Sequence, residues 1–145
     1  MKTGEAVNLA LSQSLAGEIA PVAAKCYWNA HRAALAIGAG ATYCEGWVLL
    51  PLSLPTGQEG FTIVGHGWCE LGGQVIDTEG AGAVAYFAST KRAISQVQPA
   101  DLPLHTTDKQ ADRRHQRTMH KAIAHMLTLA PTWATIVAAA DPVLG

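Results

Sequence analysis

Charge is scarce in this chain, and what there is nearly cancels. Its 145 residues carry ten Lys and Arg against eleven Asp and Glu, a formal net charge of −1. So even a balance gives no long-range pull toward nucleic acid or an anionic bilayer. There are three cysteines, Cys26, Cys44 and Cys69, an odd number at wide spacing. This speaks against a disulfide framework and fits reduced thiols in a cytoplasmic setting. No apolar run reaches the ~18 residues of a membrane span. The segment after Met1 is interrupted by Asn8, Gln13 and Glu18, so no signal peptide is expected. Internal repeats and low-complexity tracts are also lacking. Apolar residues make up 49% of the chain and charged residues 14%, which excludes general disorder. One domain over 1–145, long enough to bury a core, is expected.

What the chain does have is a hairpin that can be read by counting. Gly65-His66-Gly67-Trp68-Cys69-Glu70-Leu71-Gly72-Gly73-Gln74-Val75-Ile76-Asp77 reads as two strands about a Gly-Gly turn, since both turn positions need positive φ. The register then opposes Leu71 to Gln74, Glu70 to Val75, Cys69 to Ile76, Trp68 to Asp77 and His66 to Glu79. Opposed residues share a face, as do alternate residues along a strand. His66, Trp68 and Asp77 therefore fall on one side and Cys69 on the other. An imidazole beside a carboxylate on a rigid ribbon is half of a nucleophile-activating device.

Around this ribbon, 5–20 is expected to be helical, with Val7, Leu9, Leu11, Leu15 and Ile19 as its apolar face. Pro21 breaks that run or opens a new helix. The Ala-rich stretch 22–37 is a second expected helix, stopped by Gly38 and Gly40. Ala30, Ala33 and Ile37 continue the Cys26 face, where small side chains allow close approach to a sheet; His31 and Arg32 point elsewhere. Strands are expected over 42–50, 61–71, 74–78 and 83–87, with a loop carrying Pro51, Pro55, Gly57 and Gly60 between the first two. In the first strand Thr42, Cys44 and Val48 share one face, and Tyr43, Glu45 and Trp47 the other. Ser89 is expected to cap a short helix reaching 97. Further helices are expected over 109–129, with Met119, Ala122, Ile123, Met126 and Leu127 as the apolar stripe, and over 132–140. The sum is an α+β chain, an antiparallel sheet packed by helices.

Near a helix N-terminus, unpaired N–H groups and the helix dipole favour a thiolate, the reactive form of cysteine. Cys26 is thus the candidate nucleophile, His66 the base and later the acid, and Asp77 the group that orients the ring. An oxyanion hole needs the Cys26 N–H and a second donor. Asn29 is on the wrong helical face for that, which leaves Gln13 and Lys25 as candidates. Trp68, Glu45 and Trp47 are candidate walls of a substrate cleft, with a core role the plain alternative for both tryptophans.

The segments Lys25-Cys26-Tyr27-Trp28-Asn29-Ala30, Tyr43-Cys44-Glu45-Gly46-Trp47, Gly65-His66-Gly67-Trp68 and Val75-Ile76-Asp77 resemble the transglutaminase-like branch of the papain-like cysteine enzymes. They also resemble small bacterial and phage proteins that carry Cys-x-x-Asn-Ala, Tyr-x-Glu-Gly, His-x-Trp and Ile-Asp in series. The family sets Cys at a helix start, His on a strand and Asp on the next strand. The likeness spans 25–87. It implies a papain-like, transglutaminase-like core, here with extra C-terminal helices. It also implies thiol attack on an amide or thioester carbonyl through an acyl-enzyme. Peptide or isopeptide cleavage, side-chain deamidation and acyl transfer to an amine all follow that route, on a protein or peptide substrate. Where the family often has Asp-Pro-Thr, this chain has Asp77-Thr78-Glu79, so Glu79 is a rival partner for His66. That departure motivates an alternative: a non-catalytic protein-binding module, host-interaction or defence-related, on the same scaffold.

A zinc site from Cys44, His66 and Cys69 is not expected, because His66 and Cys69, three apart on a strand, face opposite sides unless a bulge intervenes. His115, His120 and His125 project about 140° apart around a helix and do not converge. No metal and no cofactor is therefore expected. Lys109, Arg113, Arg117 and Lys121 make one basic stripe with Arg114 beside it. Its plain reading is a solvated helix face, since a nucleic-acid partner calls for net positive charge and interleaved stacking aromatics. No membrane partner is expected, and the exposed faces of the terminal helices leave a homo-oligomer open.

Overall fold

The computed structural model describes residues 2–3, 6–23, 25–53, 55, 59–79 and 82–102. The helices expected over 109–129 and 132–140 lie outside them, as do the basic stripe and His115, His120 and His125. The hairpin has the counted register. Strand β3 (Glu59–Leu71) turns at Gly72 and Gly73, φ 57° and 80°, into β4 (Gln74–Ile76). Leu71 pairs with Gln74, Glu70 with Val75 and Cys69 with Ile76. β4 ends two residues before the expected limit, so Asp77 and Thr78 enter a turn instead.

On its other edge β3 runs antiparallel to β2 (Thr42–Ser53), from the Thr42–Glu70 pair to the Ser53–Glu59 pair. Pro51 thus lies in a strand rather than in the expected loop. β5 (Ala85–Ala93) accompanies β2 only between Thr42 and Leu49. Pro51, with no N–H to donate, falls where β2 has lost its second neighbour. The helix expected after Ser89 is absent. The ladder to β2 carries β5 through Ser89 to Ala93, and only a 3-10 turn, Ile94–Gln96, follows. Ser89 marks a register shift beside Gly46, and its hydroxyl donates to the Glu45 carbonyl. With β1 (Lys2–Thr3) on the outer edge, the sheet order is β1-β5-β2-β3-β4, all antiparallel.

Helix α1 (Leu9–Ile19) starts at Asn8, whose side chain accepts from the Leu11 N–H, and stops at Ala20 in the left-handed region before Pro21. It is shorter than expected because Val7 forms a parallel bridge to Val75 and Asn8 donates to the Val75 carbonyl. Leu15 and Ile19 are buried and Leu9 is exposed. Helix α2 spans Cys26–Ile37 and buries Tyr27, Ala30, Ala33 and Ala34. His31 is buried too, its ring edge-on to Tyr43. The helices cover one side of the sheet, where Leu15, Ile19, Ala30, Ala33, Tyr43, Cys69 and Ile76 cluster. Cys44, Val48, Trp68, Val75 and Tyr86 form a separate cluster. The alternation expected along these strands thus sorts side chains into two cores. The described chain is α+β. Among the described residues no helix is long and apolar enough to cross a membrane.

Candidate active site

Cys26 is the first residue of α2, which begins there and not at the expected 22. The reason is Asn29, fully buried. Its carboxamide accepts from the Val22 N–H at 2.9 Å and donates to the Val22 carbonyl at 2.8 Å, and the Lys25 N–H closes a turn onto the same carbonyl at 3.3 Å. The same amide donates to Glu79. The head of α2 then presses on β3 at Gly67. A Cβ there would meet Tyr27 Cδ1 at 2.8 Å, Tyr27 Cα at 3.0 Å and the Cys26 carbonyl at 3.3 Å. Only glycine lets the helix start come this close to the residue after His66.

His66 Nε2 lies 2.9 Å from Asp77 Oδ2. Asp77 is further held by the Glu79 N–H at 3.1 Å and the Tyr86 hydroxyl at 2.8 Å, while its own N–H donates to Ser12 Oγ on α1. Both partners are buried, 8% and 6% exposed. Burial alone would raise the Asp77 pKa; the His66 charge, with the hydrogen bonds from His66, Glu79 and Tyr86, overcomes it and holds the carboxyl below its ordinary value. Burial likewise works against a charged His66. The field and hydrogen bond of Asp77, helped by Cys26, prevail and raise it from 6.5 to about 10. Trp68 stacks on the His66 ring, centroids 6.2 Å apart, and meets Tyr86 edge-on at 5.1 Å. It is a buried wall that keeps the ring in place.

The Cys26 sulfur, one His66 ring nitrogen and one Glu79 carboxylate oxygen all lie within 4.8 Å of one another. With Nε2 on Asp77, Nδ1 is the nitrogen left to face them, 3.9 Å from Glu79 Oε2. Cys26, His66 and Asp77 are thus brought together, in that order of contact. A groove of about 450 Å³, lined by Ala16, Pro21, Val22, Ala23, Thr78 and Glu79, meets this cluster at Glu79. Glu45 and Trp47 are buried, 0% and 8% exposed, and do not line that groove. Glu45 accepts from the Tyr43 hydroxyl at 2.9 Å. Cys44 and Cys69 are fully buried in the two separate cores. Burial, then the field of Asp77, pushes the Cys69 thiol up to about 12, and burial with the field of Glu70 raises Cys44 further.

Sequence reasoning missed Ser12 and Tyr86, and it weighed Asn29 only as an oxyanion donor. Ser12 and Asn29 reach Asp77 and Glu79 across 65 and 50 residues, and Tyr86 reaches Asp77 across the connection to β5; only the Asp77-x-Glu79 spacing after a counted hairpin pointed to the neighbouring carboxylate. Comparison with models of known families, with curated proteins and with solved structures gives no match.

Proposed function

We propose that this chain is a cysteine-dependent amide hydrolase or acyltransferase of the transglutaminase-like, papain-like kind. The observation that carries the reading is the Cys26 sulfur at the head of α2, within 4.8 Å of a His66 ring nitrogen, with Asp77 2.9 Å from the far nitrogen. The Cys26 proton rests on His66 Nδ1 while Nε2–H stays on Asp77, so the sulfur acts as the thiolate of a thiolate–imidazolium pair. The sulfur attacks an amide or thioester carbonyl, and the developing oxyanion meets the Cys26 N–H, one of the donors that a helix start leaves without an intrahelical partner. His66 returns the proton to the leaving amine or thiol. Water or an amine then resolves the acyl-enzyme, giving hydrolysis, deamidation or acyl transfer. The groove beside Glu79 is the approach for a peptide or protein side chain.

The test is turnover of glutamine-containing peptides, followed by ammonia release and by incorporation of a fluorescent primary amine. The reading expects activity in the wild-type chain and none in Cys26→Ala; activity that survives Cys26→Ala removes it. One observation favours the alternative of a non-catalytic protein-binding module: Cys26 has no exposed surface. That reading expects no peptide turnover and a Cys26 thiol as inert as Cys44.

A further inference from the structure

We propose that Cys26, His66 and Glu79 form a binding site for one Zn²⁺ ion, and that the bound ion caps the thiol. A thiol sulfur, an imidazole nitrogen and a carboxylate oxygen are the donor set a borderline ion such as Zn²⁺ takes, whereas Mg²⁺ and Ca²⁺ prefer oxygen alone. Tetrahedral zinc, with bonds of about 2.0–2.3 Å, needs donors about 3.3–3.8 Å apart. The three donor atoms already converge within 4.8 Å, and His66 Nδ1 and Glu79 Oε2 stand at 3.9 Å. The remaining closure is at most roughly 1–1.5 Å, and Glu79 can contribute to it because its side chain is partly exposed on the turn after β4.

Two of the three donors are also held from behind. His66 gives its other ring nitrogen to Asp77, the carboxylate–histidine arrangement that orients a metal-binding imidazole, and Glu79 accepts from Asn29. The groove that Glu79 lines offers a solvent-borne fourth ligand. Binding replaces the Cys26 S–H bond, where the sulfur is protonated, with a sulfur–zinc bond and the His66 Nδ1–H bond with a nitrogen–zinc bond. The displaced protons leave to solvent and no electron moves. Uptake of the ion is independent of the enzymatic reading; only its role as a reversible off-switch rests on it.

The experiment titrates the metal-freed full chain with Co²⁺, read by thiolate-to-cobalt charge transfer in the near ultraviolet, then displaces it with Zn²⁺. Expected are one equivalent bound, loss of the band in Cys26→Ser and in Cys26→Ala, and affinity at least tenfold weaker in Glu79→Gln, with circular dichroism confirming the fold of each. Zn²⁺ should also block alkylation of Cys26 in the wild-type chain. Failure to take up one equivalent, a band that survives both Cys26 variants, or wild-type affinity in Glu79→Gln overturns the site. The metal-free alkylation rate reports separately on the thiol, so the two readings fail by different measurements.

Discussion

Replacing Gly67 with alanine tests how Cys26 is seated. The added methyl would lie 2.8 Å from Tyr27 Cδ1 and 3.0 Å from Tyr27 Cα, where carbon atoms rest at about 3.5–4.0 Å. The Tyr27 ring can swing away, but its Cα belongs to the helix backbone. Relief therefore requires the head of α2 to retreat roughly 0.5–1 Å from β3. Overpacking of this kind costs about 1–3 kcal/mol. Cys26 moves with Tyr27, and a misplacement near 1 Å lowers a positioned reaction about a hundredfold. Urea unfolding and site-resolved alkylation of Cys26 measure the two effects on the same variant. Gly17→Ala is the control: it lies inside α1 with nothing within 4 Å of an added Cβ, so stability should hold or rise by up to about 1 kcal/mol. If Gly67→Ala unfolds at the wild-type urea concentration and alkylates at the wild-type rate, close approach at Gly67 does not set the site.

Three further outcomes are expected. Cys26→Ala should abolish peptide turnover while changing unfolding stability by no more than about 1–2 kcal/mol, the scale of one small buried group; turnover and urea melts check both halves. The folded His66 pKa is raised from 6.5 to about 10, so its stabilising contribution is complete below pH 6.5 and fades as pH climbs toward 10. Asp77, lowered in the fold, contributes above its unfolded value and loses this only as acid protonates it. Melting of the metal-free chain between pH 6 and 10 should therefore show a loss of a few kcal/mol, removed in Asp77→Asn; a wild-type profile flat over that range contradicts the pairing. Asn29→Ala frees the Val22 turn and Glu79 together, and should cost about 1–3 kcal/mol and slow Cys26 alkylation; an unchanged rate means that the turn does not place the sulfur.

The ribbon was legible because a two-residue Gly-Gly loop leaves one register, and the alternation at Trp68 and Cys69 and at Val75 and Ile76 then follows. The order Cys26, His66, Asp77 was legible as chemistry, and their meeting depends on contacts that no local signal carries. Helical propensity extends back through 22–25, yet Asn29 reaches back to Val22 and starts the helix at Cys26. Ser89 carries a capping signal, yet pairing with β2 keeps it in a strand. Pro51 reads as a loop residue until the shorter reach of β5 leaves room for it in β2. Ser12, at 65 residues' separation, holds the backbone of Asp77. In each case a tertiary partner outweighed the local preference.

The central claim is that His66 activates Cys26. Its most direct test is alkylation of the metal-free chain near neutral pH, resolved by residue, in wild type and His66→Ala. The account predicts Cys26 modified at least about tenfold faster than Cys44 and Cys69, with the advantage gone in His66→Ala. A Cys26 no faster than the two core thiols, or equally fast without the imidazole, contradicts it.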